Sequence, residues 1–193
     1  MDLTQGTLEE KNNRAKKMML WFGILSLFMS FAGWTSAYIV SRSRPDWTKD
    51  IEIPIAFIIS LIVIIISSVT FILAKRALKN DNRKAASVWL LVTFILGTIF
   101  IYFQFSGFQF LIDSGYRFTG EISNPKASFI FLIAFIHILH VVVGLVCLLV
   151  VIYNHFKQKY KPTKMLGFEL AATFWHFIDI LWVYLFLFLY FIR

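Results

Sequence analysis

The chain has 193 residues, 59% of them hydrophobic and only 16% charged, with a mean hydropathy of +0.72. A soluble domain carries about 25% charged residues, so a water-facing surface of ordinary composition is excluded and an integral membrane protein is expected. The net charge of +8 lies in short basic runs between apolar stretches, which fits membrane orientation and argues against nucleic acid as a partner.

The first segment, residues 1–17, is polar and reads as a retained cytoplasmic tail. It leads into a full-length apolar span with no small-residue cleavage site. A spanning helix needs about 20 mostly apolar residues, and five stretches qualify, at about 18–40, 53–74, 86–108, 128–153 and 170–192. The expectation is an all-α bundle of five transmembrane helices, with residues 18–193 forming one membrane domain. Pro45, Pro54, Pro125 and Pro162 all fall in loops or at helix starts, where a residue without an N–H is tolerated. Gly33, Gly97 and Gly144 lie inside three of the spans, where small residues let helix backbones approach.

Thirteen of the nineteen Lys and Arg residues fall in the tail and in the second and fourth connections. The other side carries six: Arg42, Arg44, Lys49, Arg117, Lys126 and Arg193. The positive-inside rule then puts the N-terminus in the cytoplasm and the C-terminus in the periplasm. Lys17, Arg76 and Lys84, near helix ends, are candidates to meet lipid head groups. Trp21 and Trp89 fall near inner helix ends, where amphipathic rings favour the interface.

Polar side chains inside a span are costly and raise a functional question. The third span has Gln104, and the fourth has His137 and His140 one turn apart. The fifth has Glu169 at its start, then His176 and Asp179, three residues apart and so able to share a face. Three readings stand. Histidines on two helices could hold heme or metal, but such a site needs more convergent ligands and an oriented second shell. His176 and Asp179 could belong to a proton path, although only Tyr184 and Tyr190 continue it on that helix. Or the residues are polar glue within the bundle or towards a partner, which physical reasoning favours. The single cysteine, Cys147, excludes an internal disulfide and any cysteine-based metal centre. There is no phosphate loop, no nucleophile beside a base and no pair of carboxylates, so no catalytic, cofactor or metal residue is assigned.

Five motifs, in order along the spans, resemble one family. They are "FAGWTSAY" from Phe31, "SSVT" from Ser67 with the basic "AKRALKNDNRKAA" after it, and "LGTIFIYFQ" from Leu96. "FIHILHVVVG" from Phe135 and "ELAATFWHFIDILWVYLF" from Glu169 complete the set, the last including Trp175. Together they resemble subunit III of the heme-copper oxidases (cytochrome c oxidase type) in its short five-helix form.

The resemblance implies a subunit of a bacterial inner-membrane terminal oxidase that reduces oxygen to water, with no active site of its own. It would pack on subunit I, beside subunit II and other oxidase subunits, and its membership of a larger respiratory supercomplex is left open. Heme and copper would sit in partner subunits, and this chain would bind phospholipids and support oxygen access and proton uptake. Rival readings are a quinol oxidase subunit III, the related accessory protein of nitric oxide reductases, and a free-standing channel or transporter. Two positions depart from the family pattern: Ser26–Leu27 stands where a Ser-Glu pair is common, and Gly107 where a glutamate often follows the third-helix Gln. With no first-helix carboxylate, His137 and His140 are expected to be neutral and to bond a backbone carbonyl, a hydroxyl such as Ser26 or Ser30, or water.

Overall fold

A computed structural model of the protein describes residues 7–47, 51–120, 124–160 and 165–192. Among these residues the fold is all-α: α1 (Leu8–Ser41), α2 (Ile55–Lys79), α3 (Arg83–Asp113), α4 (Pro125–Phe156) and α5 (Leu166–Phe191). All five are long and apolar enough to cross a membrane. Lys49, Pro162, Lys161, Lys164 and Arg193 lie outside the described residues.

Each helix starts and stops for a local reason. α1 begins at Leu8, inside the segment read as a tail, because Thr7 and Glu10 form a reciprocal capping box. α2 follows Pro54, and α4 has Pro125 in its first turn behind the Asn124 cap. The α2–α3 turn is the tightest. Asn80 and Asp81 reverse the chain, Asp81 at φ 55°, and the Asn82 side chain accepts from the Ala85 amide. Asp tolerates that left-handed conformation better than most residues. So short a connection makes α2 and α3 antiparallel neighbours.

The helices α2, α3, α4 and α5 close a ring, each touching the next and α5 touching α2. α1 leans on α4 and α5 and has no close backbone approach to α2 or α3 among the described residues. The core divides into two apolar clusters, one around Phe57, Phe100 and Trp182, the other around Phe71, Leu148 and Trp175. α1 is held near its C-terminal end, where the Thr35 and Tyr184 hydroxyls pair at 3.3 Å and Tyr38 donates to the Ile192 carbonyl at 3.1 Å. Nearer its N-terminus an ion pair from Lys17 to Glu169, at 3.4 Å, ties it to α5.

The three span glycines behave differently. A Cβ on Gly97 would fall 2.8 Å from Trp175 and from Leu145, and one on Gly144 3.1 Å from Trp175. Both therefore serve close packing. Gly33 has open space around it, so its place in α1 has no packing reason within the chain.

Candidate functional site

The polar residues of the spans line the joints of the helix ring, and α2 supplies most of the hydroxyls. The Gln104 amide of α3 donates to Ser60 at 2.8 Å. The Thr70 and Thr93 hydroxyls meet at 2.8 Å, joining α2 to α3 a few turns further on. Towards α5, the Trp175 indole N–H donates to Ser67 at 3.2 Å, and the Ser68 hydroxyl lies 2.7 Å from His176 Nδ1. Ser60 and Thr70 also donate to carbonyls of their own helix, those of Phe57 and Ser67. Such bonds between membrane helices contribute roughly 0.6–2 kcal/mol each.

Trp175 is the centre of this arrangement. Its indole is fully buried in a slot with Gly97 of α3 on one side and Gly144 of α4 on the other, while its N–H reaches α2. One side chain of α5 therefore touches every other member of the ring.

The histidines and the aspartate fall in distinct environments. His140 is half-buried, and its Nδ1–H donates to the Ile136 carbonyl at 2.7 Å, one of the expected partner types. His137 is fully buried with neither ring nitrogen hydrogen-bonded; its ring stacks on Trp182 at 5.0 Å and meets the edges of Phe31 and Phe100. The hydroxyls named as candidate partners bond neither histidine: Ser30 donates to the Ser26 carbonyl of its own helix.

Among the described residues His176 and Asp179 do not bond each other, although both lie beside Ser68 of α2. Three residues turn a helix by roughly 300°. That is enough to leave His176 half-exposed against Ser68 while Asp179 faces inward, 3% exposed. Ser68 sits near the Asp179 carboxyl but outside hydrogen-bonding geometry, and among the described residues neither carboxyl oxygen has a hydrogen-bond partner. Glu169 is at the membrane edge, in its ion pair with Lys17. Of the other head-group candidates, Arg76 and Lys84 are exposed at the α2–α3 end of the bundle.

Sequence reasoning passed over Ser60 and Thr93, and held Ser68 and Trp182 only as members of the quoted motifs. It also passed over His155, which pairs with Ser87 at 2.9 Å between α3 and α4. A signal existed for Ser60: it stands seven residues before Ser67, hence on the same face of an isoleucine-rich helix. Among the described residues no three of His, Cys, Asp and Glu converge as ligands would. Chemically the seam can donate, accept and hold helices in register.

A family model described as "Cytochrome c oxidase subunit III" matches residues 19–193, nearly the whole chain. The chain belongs to the cytochrome c oxidase subunit III family. The "Cytochrome c oxidase subunit 3" of Alkalihalophilus pseudofirmus is 29% identical, over 94% of this chain and 87% of its own. The "Probable quinol oxidase subunit 3" of Staphylococcus aureus is 27% identical over 88% of this chain and 85% of its own. The "Cytochrome bo(3) ubiquinol oxidase subunit 3" of Buchnera aphidicola is 33% identical over 69% of this chain and 67% of its own. Subunit III is an accessory subunit of heme-copper oxidases, and with five spanning-length helices this chain is a multi-pass membrane protein.

The structure gives a physical reason for one departure of this subunit III from the family pattern. Any Cβ at Gly107 would enter the ring of Phe57, 2.7 Å from its Cδ1. The space a glutamate side chain needs is filled here by an aromatic ring from α2.

Proposed function

We propose that the protein is the non-catalytic subunit III of a cytochrome c-type terminal oxidase in a bacterial inner membrane. The observation that carries this reading is the family match over residues 19–193. The cytochrome c oxidase relative matches more of this chain than the two quinol oxidase relatives cited, which favours cytochrome c as the donor. The quinol reading draws on the higher identity of the Buchnera protein over its shorter alignment.

In this role the chain stabilises subunit I, carries phospholipid against its apolar faces and supports proton and oxygen access. It binds no heme, copper or other metal itself. Its N-terminus is cytoplasmic and its C-terminus periplasmic, with Arg76 and Lys84 beside inner-leaflet phosphates. Purifying the tagged chain from its native membrane tests the assignment. Heme-bearing subunit I should co-purify, with cytochrome c oxidation as its activity; a nitric oxide reductase, or no heme protein at all, would refute the reading. A Soret band on the isolated chain would refute the cofactor statement. An alkaline phosphatase fusion after Arg193 should be active, and an inactive fusion would overturn the orientation.

A further inference from the structure

α1 is packed unevenly along its length. Its buried residues, Ile24, Phe31, Thr35 and Tyr38, all lie after Gly23, and from Leu8 to Gly23 not one side chain is buried. The C-terminal half is clamped. Phe31 packs edge-on against His137 and His140, at 6.3 and 5.8 Å between ring centres. Tyr38 packs on Trp47, Phe129 and Phe188 besides donating to the Ile192 carbonyl. The N-terminal half borders open space instead. A cleft of about 440 Å³ lies between it and α4, reaching Cys147, and a second of about 260 Å³ lies on its α2 side, reaching Lys75. Leu20 of α1 and Leu170 of α5 border both clefts and so form the partition between them. One turn before Leu20, the Lys17–Glu169 ion pair ties this half to α5 at 3.4 Å, its side chains 53% and 37% exposed.

We propose that α1 is a hinged lever: its N-terminal half swings away from α4 and α5 about Gly23, and the Lys17–Glu169 pair is the latch that holds it closed. Gly23 stands at the junction of the loose and clamped halves. A Cβ there would meet nothing within 4 Å, so close packing does not require a glycine. Glycine weakens a helix interior, and sharp bends gather at Gly and Ser. Just beyond it the Ser30 hydroxyl donates to the Ser26 carbonyl at 2.9 Å, a back-bond that bends helices. Opening gives up little burial, since no side chain of that half is buried. It does break the latch, and an exposed ion pair is worth up to about fivefold in an equilibrium and is screened by salt. Arg14 lies nine positions before Gly23, roughly 14 Å along the axis. A bend of about 20° at Gly23 therefore carries Arg14 about 5 Å outward, lifts Leu20 from Leu170 and merges the two clefts into one.

The test is a spin-label distance measurement on the full chain, purified in mild detergent with whatever complex it retains. Cys147→Ser removes the one native thiol, and labels at Arg14→Cys and Lys157→Cys then report the separation of α1 from the end of α4. Two distances should appear, about 5 Å apart for a bend of that size. The ratio of long to short should rise by up to about fivefold with Lys17→Gln, and likewise in about 1 M salt. The exchanged pair, Lys17→Glu with Glu169→Lys, should bring it back towards wild type. Gly23→Ala should lower the ratio by up to about fivefold, because alanine stiffens the straight helix. Gly33→Ala, equally free of contacts but beyond Phe31, should leave it unchanged. Labels at Val40→Cys and Phe191→Cys, across the clamped half, should give one distance in every variant. A single Arg14–Lys157 distance throughout, a ratio indifferent to Lys17 and Gly23, or a second distance between positions 40 and 191 would each overturn the lever. The distances are read whether or not a heme protein co-purifies, so the oxidase assignment stands or falls separately.

Discussion

Replacing Gly97 by alanine tests the slot that holds Trp175. The added Cβ would stand 2.8 Å from Trp175 Cη2 and 2.8 Å from Leu145 Cδ2, against about 3.5–4.0 Å for a relaxed carbon contact. Leu145 can rotate away. Trp175 cannot retreat freely, because its N–H is on Ser67 and its other side lies against Gly144. Overpacking of this kind costs about 1–3 kcal/mol, whereas Gly-to-Ala in a helix interior gains up to about 1 kcal/mol. Gly33→Ala meets nothing within 4 Å and so carries the gain without the cost. The propensity term cancels between the two variants, so Gly97→Ala should fall below Gly33→Ala by about 1–3 kcal/mol, the overpacking term alone. SDS titration of the full chain in mild detergent, followed by circular dichroism, measures the difference. Leu145→Ala in the Gly97→Ala background should recover part of it. If the two glycine variants unfold within about 0.5 kcal/mol of each other, less than overpacking requires, the slot does not constrain the helices as argued.

Gly107→Glu should fail to fold or accumulate at a small fraction of wild type, because its Cβ meets Phe57; Phe57→Ala in the same chain should partly restore it, as membrane-fraction blots would show. His140→Leu loses only a bond to its own helix and should leave oxidase turnover nearly unchanged, and abolished turnover in a fully assembled complex would refute a packing role. His176→Leu and Asp179→Leu should each lower the yield of heme subunit on the tagged chain, while Asp179→Leu leaves the isolated chain's unfolding midpoint no lower, since among the described residues its carboxyl makes no hydrogen bond. In the loop after α1, hydrogen bonds from Arg44 at 2.9 Å hold the exposed Asp46 carboxyl below its ordinary range. What that pair contributes is therefore present above the usual carboxylate pKa and lost as pH falls through the depressed one; Arg44→Gln should return the Asp46 midpoint, read by NMR, to the ordinary value.

Helix number and placement were legible because about 20 apolar residues between polar runs have few other solutions, and the prolines marked the same boundaries. The start of α1 was legible too, in Thr7-x-x-Glu10, but its polar residues read as a tail because hydropathy hides a helix that continues past the membrane edge. Motif residues were easy to point to, as Trp175 and His176 show, but their partners were not. Ser68 is one of two adjacent serines, and which one reaches His176 depends on how α2 is rotated against α5. The inward turn of Asp179 likewise follows from packing across the bundle, which spacing along one helix does not encode.

That α1 makes no close backbone approach to α2 has a consequence for biosynthesis. α1 leaves the ribosome before the surfaces it rests on, α4 and α5, have been made. The α2–α3 hairpin can close as soon as it is inserted, since its turn is short and its contacts are local. α1 has no such neighbour and must wait in the bilayer until α4 and α5 have followed, so the earliest made of these five helices is the last to find its place. The bond from Tyr38 to the Ile192 carbonyl then joins α1 to the residue after α5, and cannot form until the fifth span has been made.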